Sequence, residues 1–485
     1  MCETAVPRIA PTLVAGVPVD LSRVHFVGVG GTGMLPVARV CAERGFIVSG
    51  SDARTTPQIE ALTQLGVRTY AGHRAGQVPA DATAVVFTHA VAEDNPEILE
   101  ARERGIPLVH RSTALDALMA GRTSIAVMGT HGKSSTAGML SVVLSRMEQH
   151  PSYVVGADLD GLGSGGRAGR GDLFVAEVDE SDRTHIGMTM DIAVITNIAF
   201  DHPENYHWVG AHVDAYEHCI RLGLRAGGTL VLNADLPECR DLASRLAETE
   251  DGGPRVVTFG VSPSADWRVA DAATEGGRST AVLHGPDGME IALSLRVPGV
   301  HQLLNAAAAI AALHTAGQDL DAAVEQLGYF DGVRRRMTPA GEAAGVRVHD
   351  SYAHHPGEVR ADLAAARSLA ESSGGRVITV FQPADALRLD IFGVGFAEEL
   401  AASDEVVLTD SVRGVPVAVL KMLAARTNAS GGSVQHVVMD REEAARHAAE
   451  VAQPGDVVVL MGAGDIAEAG PSLVQVLNEM AAAVA

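Results

Sequence analysis

Gly129-Thr130-His131-Gly132-Lys133-Ser134-Ser135-Thr136 reads as a phosphate-binding loop. The apolar run Ser124-Ile125-Ala126-Val127-Met128 precedes it and has the composition of a buried parallel strand. Apolar residues at helical spacing follow from Ala137 to Leu144. Strand, glycine loop and helix together give the motif a mechanism. Glycine lets backbone N–H groups close around phosphate oxygens, and the helix N-terminus adds the positive end of its dipole. Lys133 brings a mobile cation to the outer phosphates, and the Ser134 hydroxyl can ligate Mg2+. Only Thr130-His131 separates the first glycine from Gly132-Lys133, a shorter spacing than the Walker A form. The alternative is a tight turn with an incidental lysine, and the flanking strand and helix weigh against it.

The chain around this loop has 485 residues, enough for about three domains of ordinary size. Its 47% hydrophobic and 20% charged content describes a soluble globular protein. A formal net charge of −23 argues against non-specific nucleic-acid binding. A local basic pocket for an anionic substrate remains compatible with it. Cys2, Cys41, Cys219 and Cys239 are scattered without metal-ligand spacing, which suits a reducing cytoplasm. The N-terminus lacks a charged start followed by an apolar signal core, and no stretch approaches bilayer length. A cytoplasmic protein without membrane insertion is the expectation. Gly161 to Gly171 reads as a flexible loop.

Upstream, Val24 to Val29 reads as a strand, and Gly28-Val29-Gly30-Gly31-Thr32-Gly33-Met34 follows. A helix from Leu35 to Arg44 and a strand from Phe46 to Ser51, ending at Asp52, complete a Rossmann-like opening. The glycine pattern departs from the strict dinucleotide form, so it points to an anion or nucleotide rather than NAD. A packing turn of an ordinary α/β unit is the alternative. Ala84 to Thr88, Pro96 to Arg104 and Pro107 to His110 continue the alternation, with a domain boundary near Gly121.

Downstream of the phosphate loop, the apolar run Leu173 to Ala176 leads into Glu177-Val178-Asp179-Glu180-Ser181-Asp182. A second run, Ile192 to Asn197, leads to Asp201-His202. Open parallel sheets bind ligands beyond the carboxyl ends of their strands. The loop, Glu177 and His202 can therefore converge on one metal–phosphate site suited to ATP and Mg2+. For at least one of Asp179, Glu180 and Asp182 a solvated acidic turn is the favoured reading. His202 alone would read as a capping or buried histidine, and its place after Thr196-Asn197 changes that. His301 and Asn305 lie one helical turn apart and could read an adenine edge, or simply cap a helix. Gly332 to Met337 joins to a third α/β domain and carries Arg334-Arg335-Arg336, suited to phosphate or carboxylate unless it is a solvated linker. That domain has strands at Val346 to Asp350, Val377 to Phe381, Glu405 to Leu408 and Asp456 to Leu460, and a helix from Gly357 to Ser368. The histidine-rich Ser351-Tyr352-Ala353-His354-His355-Pro356 is a ligand-site candidate.

Together these residues resemble the Mur ligase family, in order and over nearly the whole chain. The likeness rests on His25 to Met34, the phosphate loop, Glu177 to Asp182, Thr196-Asn197 with Asp201-His202, Asp350 to Pro356 and Met461-Gly462-Ala463-Gly464-Asp465-Ile466. The resemblance implies an α/β protein of three domains. Residues 1–121 would be a Rossmann-like UDP-sugar domain, 122–331 a central P-loop ATPase domain with a parallel sheet, and 332–485 a Rossmann-like C-terminal domain. It implies ATP-dependent amide formation in peptidoglycan biosynthesis. The carboxylate of UDP-N-acetylmuramate, or a related UDP-sugar acid, becomes an acyl phosphate that a small amino acid attacks, L-alanine first among the candidates. Gly28, Gly30, Gly31, Thr32, Gly33, Met34 and Asp52 would bind the UDP-sugar, and Gly129 to Ser135 the ATP. Lys133 would stabilise the transferring phosphoryl group. Ser134 and Glu177 would hold one Mg2+ and His202 a second. His301 and Asn305 would touch adenine, Asp350 the ribose, and Arg335 or Arg336 the phosphates. Tyr352, His354 and Arg388 would lie near the acyl phosphate and the amino acid. Monomer and homodimer are both compatible.

The chain also departs from the family pattern. Ser134-Ser135 replaces threonines, Ala199-Phe200 a Glu-Pro, Gln302 an asparagine, and Thr88-His89 a serine pair. In Phe381-Gln382-Pro383-Ala384-Asp385-Ala386-Leu387-Arg388 only Arg388 remains of a histidine, aromatic and arginine set, and Ser411-Val412-Arg413-Gly414 lacks the usual tyrosine and proline. These changes predict a wider acceptor pocket with one donor fewer, in which Asp385 adds negative charge beside Arg388. ATP chemistry is thus better supported than the acceptor. A paralogue for peptide recycling or specialised metabolism, and a regulator that binds nucleotide without catalysis, are the competing readings. Retention of Lys133, Glu177 and His202 speaks against the regulator.

Overall fold

The computed structural model describes residues 18–248, 253–411 and 413–484. Cys2 and Val412 lie outside them, as does the N-terminal stretch read for a signal. The first layer comprises Arg23–Val27 (β1), Leu35–Glu43 (α1), Ile47–Asp52 (β2), Pro57–Gln64 (α2), Arg68–Ala71 (β3), Ala84–Phe87 (β4), Pro96–Glu103 (α3), Leu108–His110 (β5) and Arg111–Met119 (α4). Its strands are all parallel, in the order β3-β2-β1-β4-β5. The order reverses between β1 and β4, the switch point where such sheets open a ligand crevice. The chain leaves β1 at Gly28 with φ +81°, a conformation that favours glycine. Pro36 sits in the first turn of α1, where its missing N–H costs nothing.

The second layer comprises Thr123–Met128 (β6), Lys133–Arg146 (α5), Ser152–Val154 (β7), Gly166–Arg167 (β8), Leu173–Glu177 (β9), Met190–Ile195 (β10), Val209–Gly223 (α6), Leu224–Asn233 (β11), Pro237–Ala247 (α7) and Arg255–Gly260 (β12). It continues through Trp267–Glu275 (β13), Arg278–His284 (β14), Glu290–Leu295 (β15), Val300–Thr315 (α8) and Leu320–Leu327 (α9). The sheet order is β15-β14-β13-β12-β11-β10-β6-β9-β7-β8. β6 pairs in parallel with β9 and β10. Its Ile125, Ala126, Val127 and Met128 are all fully buried. Each large aliphatic side chain buried this way stabilises the fold by about 1.5–3 kcal/mol. That is why an unbroken apolar run, rather than an alternating one, marks this strand.

Gly161 to Gly171 is not the free loop that its composition suggested. β8 within it pairs antiparallel with β7. A Cβ on Gly165 would stand 2.2 Å from the Val155 carbonyl oxygen, one on Gly166 2.5 Å from that of Pro36, and one on Gly171 1.9 Å from that of Gln149. These glycines serve close backbone packing, so their abundance reports contact rather than freedom.

The third layer comprises Arg336–Ala343 (β16), Val346–Ser351 (β17), Pro356–Glu371 (α10), Val377–Phe381 (β18), Ala386–Leu400 (α11), Glu405–Thr409 (β19), Val417–Ala429 (α12), Val434–Val438 (β20), Arg441–Val451 (α13), Val457–Met461 (β21) and Gly470–Val484 (α14). Its order is β16-β17-β21-β18-β19-β20, parallel except for β16 on β17. Separate apolar clusters form around this sheet, one including Phe381, Phe396 and Leu363, the other Ile378, Leu460 and Leu473. Three successive α/β layers thus give the expected architecture. The backbone divides into two compact units. The first holds the described residues up to Val269 with Leu283–Ile291 and Asn305–Leu327. The second holds Ala270–Val282, Ala292–Leu304 and the chain from Gly328 onward. Among the described residues no helix is long and apolar enough to cross a membrane.

Asp362 on α10 is a buried carboxylate within the third layer, and the Ser351 hydroxyl donates to it at 2.5 Å. Burial pushes its pKa up to about 6. The folded state therefore holds this proton more tightly than the unfolded chain does. That contribution is complete below the unfolded pKa of about 3.9 and is lost as pH rises through the folded value. Asp362→Asn removes the buried charge and keeps an acceptor for Ser351. The expected outcome is a rise in the thermal unfolding midpoint over wild type that is larger at pH 8 than at pH 4.5, measured by calorimetry at both values.

Candidate active site

The phosphate loop is held by the chain that follows β10. Asn197 accepts from the backbone N–H of His131 at 2.9 Å through Oδ1 and donates Nδ2 to the His131 carbonyl at 2.7 Å. Its own carbonyl accepts from the Thr130 N–H at 3.1 Å. The Thr196 hydroxyl donates to the His131 carbonyl at 2.5 Å. Thr130 Oγ1 accepts from the Ala199 N–H at 2.9 Å. Gly129 has φ +122°, and a Cβ there would stand 2.2 Å from Thr196 Oγ1. Gly132 caps α5 with φ +80°, and its missing Cβ makes room for Asn305, whose Oδ1 would otherwise lie 2.5 Å away. Asn305 on α8 therefore borders the phosphate loop.

Behind the loop Lys133 Nζ donates to the Gly129 carbonyl at 2.6 Å and the Thr130 carbonyl at 3.2 Å, and meets Glu180 at 2.8 and 3.0 Å. Burial opposes the ammonium charge, but Glu180, Asp179 and Glu177 outweigh it and lift the lysine above its ordinary range. The Ser134 hydroxyl donates to Glu177 at 2.8 Å, and Glu177 also accepts from the Gly156 N–H at 2.6 Å. Asp179, Glu180 and His202 each offer an atom within 4.8 Å of the others. His202 sits with φ +51°. Burial lowers its pKa, while Glu204, Asp201, Glu180 and Asp179 raise it by more. Hydroxyl, carboxylate and imidazole donors beside a phosphate loop fit hard divalent cations completed by water and phosphate.

The reading of a solvated acidic turn fails for Glu180 and Asp182, whose side chains are 0% and 4% exposed. Asp182 lies 3.1 Å from His89 Nδ1 and 3.2 Å from His110 Nε2, and accepts from Thr184. His110 Nδ1 accepts from the Ser112 N–H, so its Nε2 carries the proton and faces Asp182. Burial acts against the Asp182 charge, and the hydrogen bonds from His110 and His89 hold the carboxyl far below its usual range all the same. Asp179 is more open, with its side chain 36% exposed, and Arg111 donates to it at 3.3 Å. Arg111 was not singled out from the sequence. Its signal was a basic residue at the carboxyl end of β5, beside the loops already chosen on that ground.

In the first layer Gly28 and Val29 donate to the Ser51 carbonyl at 2.8 and 2.9 Å, and Gly30 donates to Asp52 at 2.9 Å. Asp52 thus braces the glycine loop. A Cβ on Gly33 would stand 3.1 Å from the Arg111 side chain, so the glycine loop passes close to that guanidinium at Gly33. The Ser51 hydroxyl donates to the buried Glu97 at 2.5 Å, and His73 approaches the same carboxylate at 3.1 Å.

The remaining site residues lie in the second compact unit. Arg335 donates to the carbonyls of Gly462 and Gly464 at 2.7 and 3.0 Å and lies over the Tyr352 ring at 4.6 Å. Arg336 donates to Glu358 at 3.2 Å. These arginines are not a solvated linker. Asp350 lies 3.7 Å from Arg335 Nε, and burial pushes its carboxyl up. His354 and Tyr352 meet edge to face at 5.1 Å, and Arg388 reaches the His354 carbonyl at 3.4 Å. His301 on α8 belongs to this unit too, and burial pushes its imidazole down to about 4. Asp385 is not a loose negative charge. It caps α11 by accepting from the Arg388 N–H at 2.9 Å and pairs with Arg413 at 3.1 Å.

A UDP-N-acetylmuramate–L-alanine ligase of Streptomyces coelicolor is 40% identical over 470 residues, covering 96% of this chain and 99% of that protein. The chain belongs to the Mur ligase family. Family models match in sequence: the Mur ligase family catalytic domain at residues 23–123, the Mur ligase middle domain at 127–313, and the Mur ligase glutamate ligase domain at 335–464. A UDP-N-acetylmuramate–L-alanine ligase of Kineococcus radiotolerans is 42% identical over 472 residues, covering 95% of this chain and 97% of its own. The crystal structure of a UDP-N-acetylmuramate–alanine ligase from Thermotoga maritima superposes with a TM-score of 0.76 at 29% identity, covering 93% of this chain and 98% of that one.

In this Mur ligase the phosphate loop depends on Gly129 having no side chain. Gly129→Ala imposes a positive-φ strain of about 1–3 kcal/mol, before any clash with Thr196 is relieved. The variant should unfold at lower urea concentration than wild type and lose nucleotide affinity, read by denaturation and by calorimetric titration with Mg-ADP.

Proposed function

We propose that this Mur ligase joins L-alanine to the carboxylate of UDP-N-acetylmuramate at the expense of ATP, in peptidoglycan biosynthesis. The observation that carries the reading is the likeness to ligases of that name over nearly the full length of both chains. The phosphate loop with Lys133, Ser134 and Glu177 in register supplies the chemistry.

The reaction brings anions together. The sugar carboxylate attacks the γ-phosphorus of ATP, ADP leaves, and an acyl phosphate forms. The amine of L-alanine then attacks the acyl carbon, the acyl C–O bond breaks, inorganic phosphate leaves with that oxygen, and the nitrogen gives up a proton. Lys133 places a positive charge where the phosphoryl group moves, the usual main source of rate in such transfers. Ser134 and Glu177 hold one Mg2+, and His202 with its neighbouring carboxylates a second. Bound Mg2+ supplies neutralisation of the phosphate charge. Gly28 to Met34 and Asp52 receive the sugar nucleotide. His301 and Asn305 serve adenine, Asp350 the ribose, and Arg335 or Arg336 the phosphates. Tyr352, His354 and Arg388 serve the amino acid. The three domains are assigned to residues 1–121, 122–331 and 332–485, and the enzyme to the cytoplasm.

Phosphate release with ATP, Mg2+ and UDP-N-acetylmuramate should be fastest with L-alanine in a panel containing glycine, L-serine and larger amines. A larger amine preferred by specificity constant would replace L-alanine as the acceptor. Lys133→Ala should cut turnover by at least about 100-fold. It should also lower the unfolding midpoint, because Glu180 is left buried without its partner.

Glu177→Gln keeps a partner for the Ser134 hydroxyl and removes the charge. The Mg2+ concentration for half-maximal phosphate release should rise about tenfold or more, with the thermal midpoint in metal-free buffer close to wild type. A large stability loss there would make Glu177 a fold residue.

A further inference from the structure

Apart from standing among the carboxylates near His202, Glu180 has no role of its own above. It lies in the acidic segment after β9, with its side chain 0% exposed. Its backbone carbonyl accepts the Tyr206 hydroxyl at 2.8 Å, so the segment is fixed in place. Its carboxylate points at Lys133 Nζ, with both oxygens at 2.8 and 3.0 Å. His202 Nε2 stands 3.9 Å from the same carboxylate.

An ammonium has three N–H donors. Here the Gly129 carbonyl, the Thr130 carbonyl and Glu180 take all of them. A lysine so held cannot donate to a phosphoryl oxygen without releasing one partner. The two carbonyls belong to the loop that wraps the nucleotide. Glu180 is the charged competitor for the same proton donors. When the lysine turns to phosphate, the Glu180 carboxylate keeps His202 as its nearby basic group.

We propose that Glu180 is a positioning residue for Lys133, holding the ammonium in the loop when the γ-phosphate is absent and yielding it when the γ-phosphate arrives. This deepens the ligase reading and rests on it. The lysine has a long flexible stem, and without a fixed counter-charge it samples many rotamers. Glu180 thus orders the lysine before substrate binds, and its pull makes γ-phosphate contact weaker than it would otherwise be. Those two effects give opposite signs in kcat and in ground-state binding, which a purely structural residue does not.

The test is a ratio of affinities: Mg-ADP against the Mg complex of a non-hydrolysable β,γ-methylene analogue of ATP, titrated into the full-length protein. The ratio reads the γ-phosphate contact alone. Glu180→Gln should favour the analogue over ADP by about five- to tenfold more than wild type does, while kcat for phosphate release falls about tenfold. Lys133→Met should collapse the preference, and Lys133→Met/Glu180→Gln should leave it collapsed. Glu180→Asp, which draws the carboxylate back from Nζ, should shift the ratio in the same direction as Gln and by less. An unchanged ratio in Glu180→Gln overturns the proposal. So does a preference restored in the double variant, which would mean that Glu180 acts on the nucleotide and not through Lys133. Failure of both single variants to fold assigns Glu180 to the fold and also overturns it. If wild type binds neither nucleotide, the ligase reading fails. If wild type binds both and the variants match it, only this inference fails.

Discussion

The loop from Gly129 to Gly132 is shaped by the chain that follows a neighbouring strand, not by itself. Asn197 and Thr196 occupy the His131 carbonyl, the His131 N–H and the Thr130 N–H. This fixes Gly129 at a φ that only glycine adopts without strain, and turns Gly132 into the cap of α5. The direction of Lys133 follows, since its nitrogen is tethered to the same loop's carbonyls. The constraint reaches outward through β6, whose fully buried residues bring β9 and β10 to either side. Glu177 ends β9 and Asn197 follows β10, so the acidic segment and the clamp both arrive from adjacent strands. A preorganised site of this kind avoids reorganisation during the reaction.

A protein of net charge −23 must still receive several anions. The site manages this by pairing its acids locally. Glu180 is matched by Lys133, Asp179 by Arg111, and Asp182 by His89 and His110. Both histidines and Arg111 come from the first layer, the acids from the second, so the same pairs tie the two layers within one compact unit. Asp116 on α4 adds to this tie by accepting the Thr189 N–H and hydroxyl, each at 2.7 Å. His89 stands where the family usually has serine. It lies 3.1 Å from Asp182.

Much of this was legible in the sequence, and what was not has a physical reason. β6, β9, β10, β18 and β21 stand out as apolar runs because both of their faces are covered. The meander β13 to β15 was unread, since its residues alternate between buried and exposed and carry no motif. The glycine-rich stretch at 161–171 was misread because composition cannot distinguish a glycine needed for flexibility from one needed for contact. Strand ends were the part that could be read, since parallel topology brings the residues after β6, β9 and β10 to one edge of the sheet. Pairings remained hidden. Asp182 meets His89 across 93 residues, and Arg335 meets Gly462 across 127. Nothing local in an acidic run says which of its members finds a distant base, so the run could not be divided into the more open Asp179 and the buried Glu180 and Asp182.

The acceptor segment shows how local structure can reassign a charge. Read as a string, Asp385 sits three residues before Arg388 and would repel an amino acid's carboxylate. In the fold it begins a helix. Its side chain accepts the Arg388 N–H, and at a helix N-terminus a carboxylate faces the positive end of the dipole. Arg413 approaches its other oxygen, though that pair is exposed on the arginine side and contributes little by itself. The Asp385 charge is therefore answered within its own turn and by a neighbour. Arg388 is buried, and its guanidinium reaches the His354 carbonyl at 3.4 Å. A carboxylate that reads in the sequence as a repulsive charge is, in the fold, a helix cap with a basic partner of its own.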